Sequence, residues 1–215
     1  TTQRQIAAVS AKNHEHSTRN PYSQFRKSFT IDEILAAPPI TYPLTLPMCA
    51  PITDGAAAVI LCTEEGLKRI GANKSRCIKV AASVIRSFSS RRYDQPELHL
   101  AHLAANQAYE MAGLGPQDMQ VAEVHDAAAM GEIIQAENLG FVALGEGGPA
   151  AERGDFTLGG RIPINVSGGL ESKGHPIGAT GLGQLHELVT QLRGEAGARQ
   201  VAGARLAIAE NGGGI

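Results

Sequence analysis

The sequence contains no tryptophan, and aromatic residues make up only 4% of its 215 residues. Its formal net charge of −2 provides no basic surface of the kind that binds nucleic acid or an anionic membrane. No apolar run is long enough to span a membrane, and the chain does not open on a charged segment followed by an apolar one. We therefore expect no nucleic acid and no membrane as partner. One basic cluster, Arg86, Arg91 and Arg92, is interpreted as a solvated loop, with phosphate binding as the alternative.

Cysteine is also scarce, and its three positions lie far apart without paired spacing: Cys49, Cys62 and Cys77. Such spacing predicts neither a disulfide framework nor a zinc site. We expect no bound metal and a reducing, cytoplasmic setting. Each thiol is predicted to behave as a small buried apolar group.

Alanine, glycine and aliphatic residues dominate the chain, and their periodicity predicts alternating helices and strands. The predicted helices cover residues 1–13, 30–38, 64–70, 97–112, 126–140 and 179–193. The predicted strands cover residues 56–62, 77–85, 121–124, 162–166 and 205–210. The proline-rich residues 38–51 are predicted as an extended connection and residues 141–160 as a loop. Continuous apolar strands such as 56–62 are typical of sheets covered on both faces, which indicates a layered α/β fold.

A glycine-dense stretch, Asn165–Gly183, presents a single histidine between a predicted strand and a predicted helix. Glycine lets the backbone approach a ligand closely, and Pro176 stiffens the position after His175. Histidine titrates near neutral pH, which suits proton transfer. The pattern predicts a general base at His175, and a glycine-rich turn with a hydrogen-bonded histidine is the alternative.

Two further elements end in polar or glycine-rich residues. His125 follows the predicted strand 121–124, and Asp126 is placed to cap the next helix. Ligands bind at such strand ends in α/β folds, although a structural role for His125 is the simpler interpretation. After the last predicted strand, the turn Asn211–Gly214 exposes backbone amides that either bind an oxyanion or form a plain hairpin turn.

These motifs together resemble the thiolase superfamily, above all its sterol-carrier-protein-type members and the bacterial and archaeal acetyl-CoA acetyltransferase-like thiolases. The resemblance runs essentially from end to end and rests on five motifs in order: Asp54–Val59, Val124–Ala127, Ser167–Gly181, Gln191–Gly197 and Asn211–Gly214. It implies a layered αβαβα fold with a mixed sheet and covering helices. Residues 1–75 would be the tail of the amino-terminal half, and 76–215 the carboxyl-terminal domain without its last strand. We expect the chain to be a piece of a longer protein.

The resemblance also implies an acyl-CoA C-acyltransferase, which forms or breaks a carbon–carbon bond through an acyl-cysteine. His175 would be the base that activates the cysteine. His125, with Asp126, would stand beside an oxyanion-binding water, and Gly212 would give a backbone donor to a second oxyanion hole. The CoA thioester would be a substrate rather than a permanent cofactor, and a homo-oligomer is expected.

The chain departs from the superfamily pattern in its cysteines. None of the three lies in the strand-to-helix setting of the nucleophile, which is expected in the amino-terminal half outside this chain. The known places for a second cysteine correspond to Ala127 and Glu210. Either His125 or Glu210 would then supply the acid or base, and Glu210 would need burial to raise its pKa. The alternatives are a thiolase-like aldolase of β-hydroxyacyl-CoA with a small OB-domain partner, and a non-catalytic thiolase-like subunit.

Overall fold

The computed structural model describes residues 1–88, 90–92 and 94–213, so Gly214 of the predicted final turn lies outside the described residues. The described chain is a mixed α/β protein, as the sequence predicts. Its α-helices are α1 (Gln3–Ser17), α2 (Ile31–Ala36), α3 (Glu64–Arg69), α4 (Leu100–Ala112), α5 (Ala129–Asn138), α6 (Gly147–Arg153) and α7 (Thr180–Leu192). Its strands are β1 (Pro39–Thr41), β2 (Leu44–Thr45), β3 (Val121–Glu123) and β4 (Ala207–Ala209). None of the described helices has the length and apolarity that crossing a membrane requires.

The first helix, α1, extends beyond the predicted residues 1–13 and packs against α2, α5 and α6. It begins at a capping box, in which the Thr2 hydroxyl accepts from the Gln5 amide and the Gln5 side chain accepts from the Thr2 amide. Its first turns bury apolar side chains such as Ile6 and Val9, whereas its last turns bury polar ones such as Asn13. The apolar half anchors α1 in the core, and the polar half reaches the site described below.

A parallel sheet at the centre of the fold aligns three chain segments. In β3 and β4, Val121 lies opposite Ala207 and Glu123 lies opposite Ala209. On the other side of β3, Ile164 pairs with Ala122 in parallel. Because all three segments run in the same direction, their carboxyl ends meet at one edge of the sheet. The structure thereby confirms the predicted strands around 121–124 and 205–210.

Two predicted strands are wrong. Residues 56–62 and 77–85 form no strand, and several of their large apolar side chains stay exposed, with 88% of Ile60 and 92% of Ile85 accessible. A strand needs a neighbour to pair its backbone groups and cover its faces, and neither run pairs with another strand within the described ranges. Cys62 and Cys77 are consequently exposed rather than buried, and Cys49 is half-buried.

The predicted loop 141–160 instead contains the short helix α6. Pro149 falls in its first turn, where the missing N–H has no intrahelical partner to lose. A Cβ on Gly147 would lie 2.8 Å from the Ile133 carbonyl oxygen, and one on Gly148 would lie 2.5 Å from Gln5 Oε1. The two glycines therefore let α6 pack closely against α5 and α1, which explains a composition that otherwise indicates a loop.

Candidate active site at the carboxyl edge of the sheet

The four residues predicted as a site, His125, His175, Glu210 and Gly212, lie together at the carboxyl edge of the sheet. The rings of His125 and His175 meet edge to face, with centroids 5.0 Å apart and planes at 77°. The His125 amide donates to Glu210 Oε2 at 3.1 Å. A Cβ on Gly212 would lie 3.0 Å from Glu210 Oε1, which places the final turn against the same group. The catalytic roles of these residues stay predictions.

His175 lies five residues before Thr180, the first residue of α7, and its Nδ1 atom lies 2.7 Å from Thr180 Oγ1. Burial, followed by the charge of Lys173, lowers the pKa of His175 below the usual histidine value. The ring is therefore neutral at neutral pH and able to accept a proton.

His125 is neutral for a similar reason. Burial lowers the pKa of its ring, and the neighbouring His175 lowers it further, because two cations side by side repel each other. The pair can consequently hold one proton more easily than two. This arrangement suits a site in which a proton arrives at one ring at a time.

The structure raises the pKa of the Glu210 carboxyl group, which the sequence alone does not determine. Burial raises its pKa to about 7, against the opposite effect of the His125 amide that donates to it. A carboxyl group with a pKa near neutrality is able both to give and to take a proton at physiological pH. Its main chain is fixed as well, since Gln184 Nε2 donates to the Glu210 carbonyl oxygen at 2.9 Å.

The predicted cap at Asp126 is wrong. Ala128 is the N-cap of α5 and makes no side-chain bond, whereas Asp126 is fully buried beneath the site. Asp126 Oδ1 accepts from the Leu170 amide at 2.9 Å, and Oδ2 accepts from Asn13 Nδ2 at 3.0 Å. The carboxyl turns away from the helix end because these buried donors satisfy it, and it ties the His125 strand end to α1.

A buried polar cluster surrounding Asp126 escapes the sequence analysis. Lys12 Nζ lies 2.7 Å from Glu132 Oε1, and Asn13 Nδ2 donates to Glu171 Oε1 at 2.7 Å. Burial raises the pKa of Asp126, of Glu132 and of Glu171, the last to about 8. Asn165 joins this cluster at a buried corner, where its φ is 53° and its Nδ2 donates to Glu132 Oε2 at 2.9 Å.

The segment just before His175 is a π-helix, Gly169–Lys173, which the sequence does not predict. Gly169 has a φ of 63°, and a Cβ there would overlap Asp126 Oδ2 and Asn13 Nδ2. Such wide turns are rare and are frequently found at functional sites. Here the wide turn brings the Leu170 amide onto Asp126 and sets the path of the chain to His175.

The proline-rich connection borders the site too. Cys49 pairs with Ala128 in an antiparallel bridge, and the Ala50 amide donates to the Ala127 carbonyl at 2.8 Å. Burial, with the charge of Glu171 as a second cause, raises the pKa of the Cys49 thiol. Within residues 1–88, 90–92 and 94–213, no three acidic, cysteine or histidine side chains converge to hold a metal ion.

These features define a mixed α/β protein that presents two neutral histidines and a carboxyl group at one edge of a parallel sheet. Residues 82–215 match the family described as thiolase C-terminal domain-like, and the chain belongs to this family. The resemblance read from the five sequence motifs is thus confirmed. The boundary expected between residues 75 and 76 stays a prediction.

Known proteins similar to the chain agree with this family. Sterol carrier protein 2 of Oryctolagus cuniculus is 44% identical over 211 residues, which cover 96% of the chain and 39% of that protein. An acetyl-CoA acetyltransferase of Methanothermobacter thermautotrophicus is 43% identical over 215 residues, covering the whole chain and 56% of that protein. The chain therefore spans about half or less of these relatives.

A solved structure titled Ltp2-ChsH2(DUF35) aldolase superposes on the chain with a TM-score of 0.77 at 21% identity. The superposition covers 97% of this chain and 55% of the solved one. At this level of identity, the likeness speaks for the fold alone. The thiolase-like fold expected from the sequence is confirmed by the family match and this structure together.

Proposed function

We propose that the protein is a thiolase-type acyl-CoA C-acyltransferase whose nucleophilic cysteine lies outside these 215 residues. The observation that carries the proposal is the pair of neutral rings, His125 and His175, 5.0 Å apart at the sheet edge of a thiolase-family chain. Membership of the family and the acetyl-CoA acetyltransferase among the relatives support it. The nucleophile is assigned elsewhere because Cys62 and Cys77 are exposed and lie in no strand, and because the pKa of Cys49 is raised, which disfavours its thiolate.

In the first half of the proposed reaction, His175 takes the proton of the cysteine thiol. The thiolate attacks the thioester carbonyl, the carbon–sulfur bond to the cysteine forms, and CoA leaves with a proton returned by the imidazolium. The backbone amide of Gly212 donates to the developing oxyanion. His175 is suited to this step because its lowered pKa keeps it unprotonated at neutral pH.

In the second half, a base removes the α-proton of an acyl-CoA, and the resulting carbanion attacks the acyl-cysteine. We assign this base to Glu210, since burial raises its pKa to about 7 and its carboxyl group contacts the His125 amide. The carbon–carbon bond forms as the cysteine leaves as a thiolate, and the proton that Glu210 took from the α-carbon returns to the cysteine through the neutral His175. His125 stabilises the enolate oxygen as a hydrogen-bond donor.

The test is acylation of the full-length protein by acetyl-CoA, followed by intact-mass and peptide mass spectrometry. The wild-type protein should gain one acetyl group on a cysteine. The His175→Ala variant should not, whereas His186→Ala, a change of an exposed histidine on α7, should acylate like the wild type. Normal acylation of His175→Ala would remove the assignment of the base.

A second candidate is a thiolase-like aldolase that cleaves a β-hydroxyacyl-CoA together with an OB-domain partner. It is favoured by one observation, that alanine and glutamate occupy the two places where a second thiol is expected, Ala127 and Glu210. Release of a ketone or aldehyde from a β-hydroxyacyl-CoA, without cysteine acylation, would select this candidate. Absence of both reactions would leave a non-catalytic subunit.

A further inference from the structure

Thr180, the first residue of α7, contacts the His175 ring at its Nδ1 atom. It is 3% exposed, and its Oγ1 lies 2.7 Å from His175 Nδ1 and 3.1 Å from the Pro176 carbonyl oxygen. Across the part of the chain that the structure describes, no other side chain or backbone group hydrogen-bonds to the His175 ring. The protonation of Nδ1 is thus decided at this one contact.

The hydroxyl carries a single proton, which it can give either to Nδ1 or to the Pro176 carbonyl. If the proton goes to Nδ1, then Nε2 of the neutral ring must be protonated and is unable to act as a base. If it goes to Pro176, the hydroxyl oxygen accepts from Nδ1–H, and Nε2 keeps its lone pair. A threonine hydroxyl in a helix commonly bonds to the carbonyl four residues earlier, so the second arrangement has a ready acceptor.

We propose that Thr180 is the positioning residue of His175, and that it accepts from Nδ1–H so that Nε2 is the basic nitrogen of the site. The inference deepens the proposed function and rests on it, because only a base needs Nε2 unprotonated. The same bond serves after the ring takes the proton from the cysteine, since the imidazolium still donates from Nδ1. Thr180 therefore stabilises the charged ring, as the second bond of a catalytic histidine does.

Two other titratable groups face His175 and must be separated from this effect. His125 meets its ring edge to face, and Lys173 of the π-helix lowers its pKa through charge. Neither is displaced by an isosteric change at Thr180. A change in the titration of His175 on removal of the hydroxyl is consequently attributable to the hydroxyl.

The test uses the full-length protein with ¹⁵N-labelled histidine and long-range proton–nitrogen correlation spectra recorded across pH. The His175 signals are assigned by their loss in His175→Asn. In the wild type we expect the proton of the neutral ring on Nδ1. In Thr180→Val we expect it to move to Nε2, the titration midpoint to fall by about one pH unit, and cysteine acylation to slow by about tenfold or more.

Two variants act as controls. Thr180→Ser keeps the hydroxyl and should restore the wild-type tautomer and midpoint. Thr190→Val removes an equivalent bond in the same helix, from Thr190 Oγ1 to the His186 carbonyl at 2.7 Å, and should leave His175 unchanged. It therefore measures the general effect of losing such a bond.

A wild-type ring protonated on Nε2 would overturn the inference, and so would a Thr180→Val ring with the wild-type tautomer and midpoint. The spectra do not depend on turnover. If the wild type fails to acylate while the tautomer behaves as expected, the proposed function fails and the positioning role of Thr180 is supported.

Discussion

At the scale of single residues, the buried carboxyl groups below the site matter most for how the protein responds to pH. Glu171 is 1% exposed, and Asn13 Nδ2 donates to one of its oxygens at 2.7 Å. Burial is the first cause that raises its pKa from 4.5 to about 8. The folded protein therefore holds a proton at Glu171 that the unfolded chain releases at a lower pH.

The sign of the resulting pH dependence follows from linkage. A group whose pKa is raised by folding contributes stability that is fully present below its unfolded pKa of 4.5 and is lost as pH rises through about 8. We predict that the midpoint of thermal unfolding falls between pH 5 and pH 8, and that Glu171→Gln reduces this fall. Glu110→Gln, on the exposed face of α4, is the control. An unchanged slope in Glu171→Gln would contradict the assignment.

Single residues were predictable where the local sequence carries the signal. His175, between glycine and proline, and His125, after an apolar strand, stand out in the sequence, and their rings lie 5.0 Å apart in the structure, while their catalytic roles stay predictions. Lys12 and Asn13 do not stand out, because each lies in an ordinary helical context, and Glu171 lies within Asn165–Gly183 without a local sign that folding would bury it beside Asn13. Asp126 was assigned to the wrong partner, since cap propensity is local and its buried donors lie more than 40 residues away.

At the scale of elements, the π-helix Gly169–Lys173 comes just before His175 in the chain and contacts Asp126, the neighbour of His125. It contacts α1, and its Leu170 amide donates to Asp126. Its last residue, Lys173, pairs with Glu123 of β3 at 3.1 Å. The element is therefore fastened to both the sheet and the first helix, and its geometry sets where His175 stands.

Gly169→Ala tests this element directly. The positive φ at this position and the overlap of an added Cβ with Asp126 and Asn13 should together lower the free energy of unfolding by about 3 kcal/mol. Gly194→Ala is the matched control, because Gly194 has a φ of 72° but nothing within 4 Å of an added Cβ. Its cost should be about 1 kcal/mol. Equal losses in denaturant unfolding would show that the close packing at Gly169 is unimportant.

Elements were predictable where caps and periodicity coincide. Helix α2 begins at a capping box of Thr30 and Glu33, and α4 ends at Gly113 in the left-handed conformation, in agreement with the predicted helices 30–38 and 97–112. The faces of the helices were less predictable: α7 buries Gln184 and Gln191 and leaves Leu185 38% exposed. The polar groups are buried because they bond to the main chain of neighbouring segments, a reason that hydrophobic periodicity does not contain.

At the scale of the whole molecule, large apolar side chains are exposed in the two runs where predicted strands do not form. Leu61 is 76% exposed and Val80 is 62% exposed, in runs whose composition is typical of covered strands. Fold class was predictable because ordered motifs carry it. Whether an apolar run forms a strand depends on a second strand that pairs with it, and the local sequence of the run does not specify that partner.

The central claim is acyl transfer through a covalent enzyme intermediate with His175 as the base and Glu210 acting only afterwards. The most direct measurement is exchange of isotopically labelled CoA into acetyl-CoA by the full-length protein, with no other acyl-CoA present. Exchange should occur in the wild type and in Glu210→Gln and be lost in His175→Ala, whereas carbon–carbon bond formation should fall by about a hundredfold or more in Glu210→Gln. A wild-type protein that catalyses no exchange, or a His175→Ala variant that exchanges normally, would contradict the account.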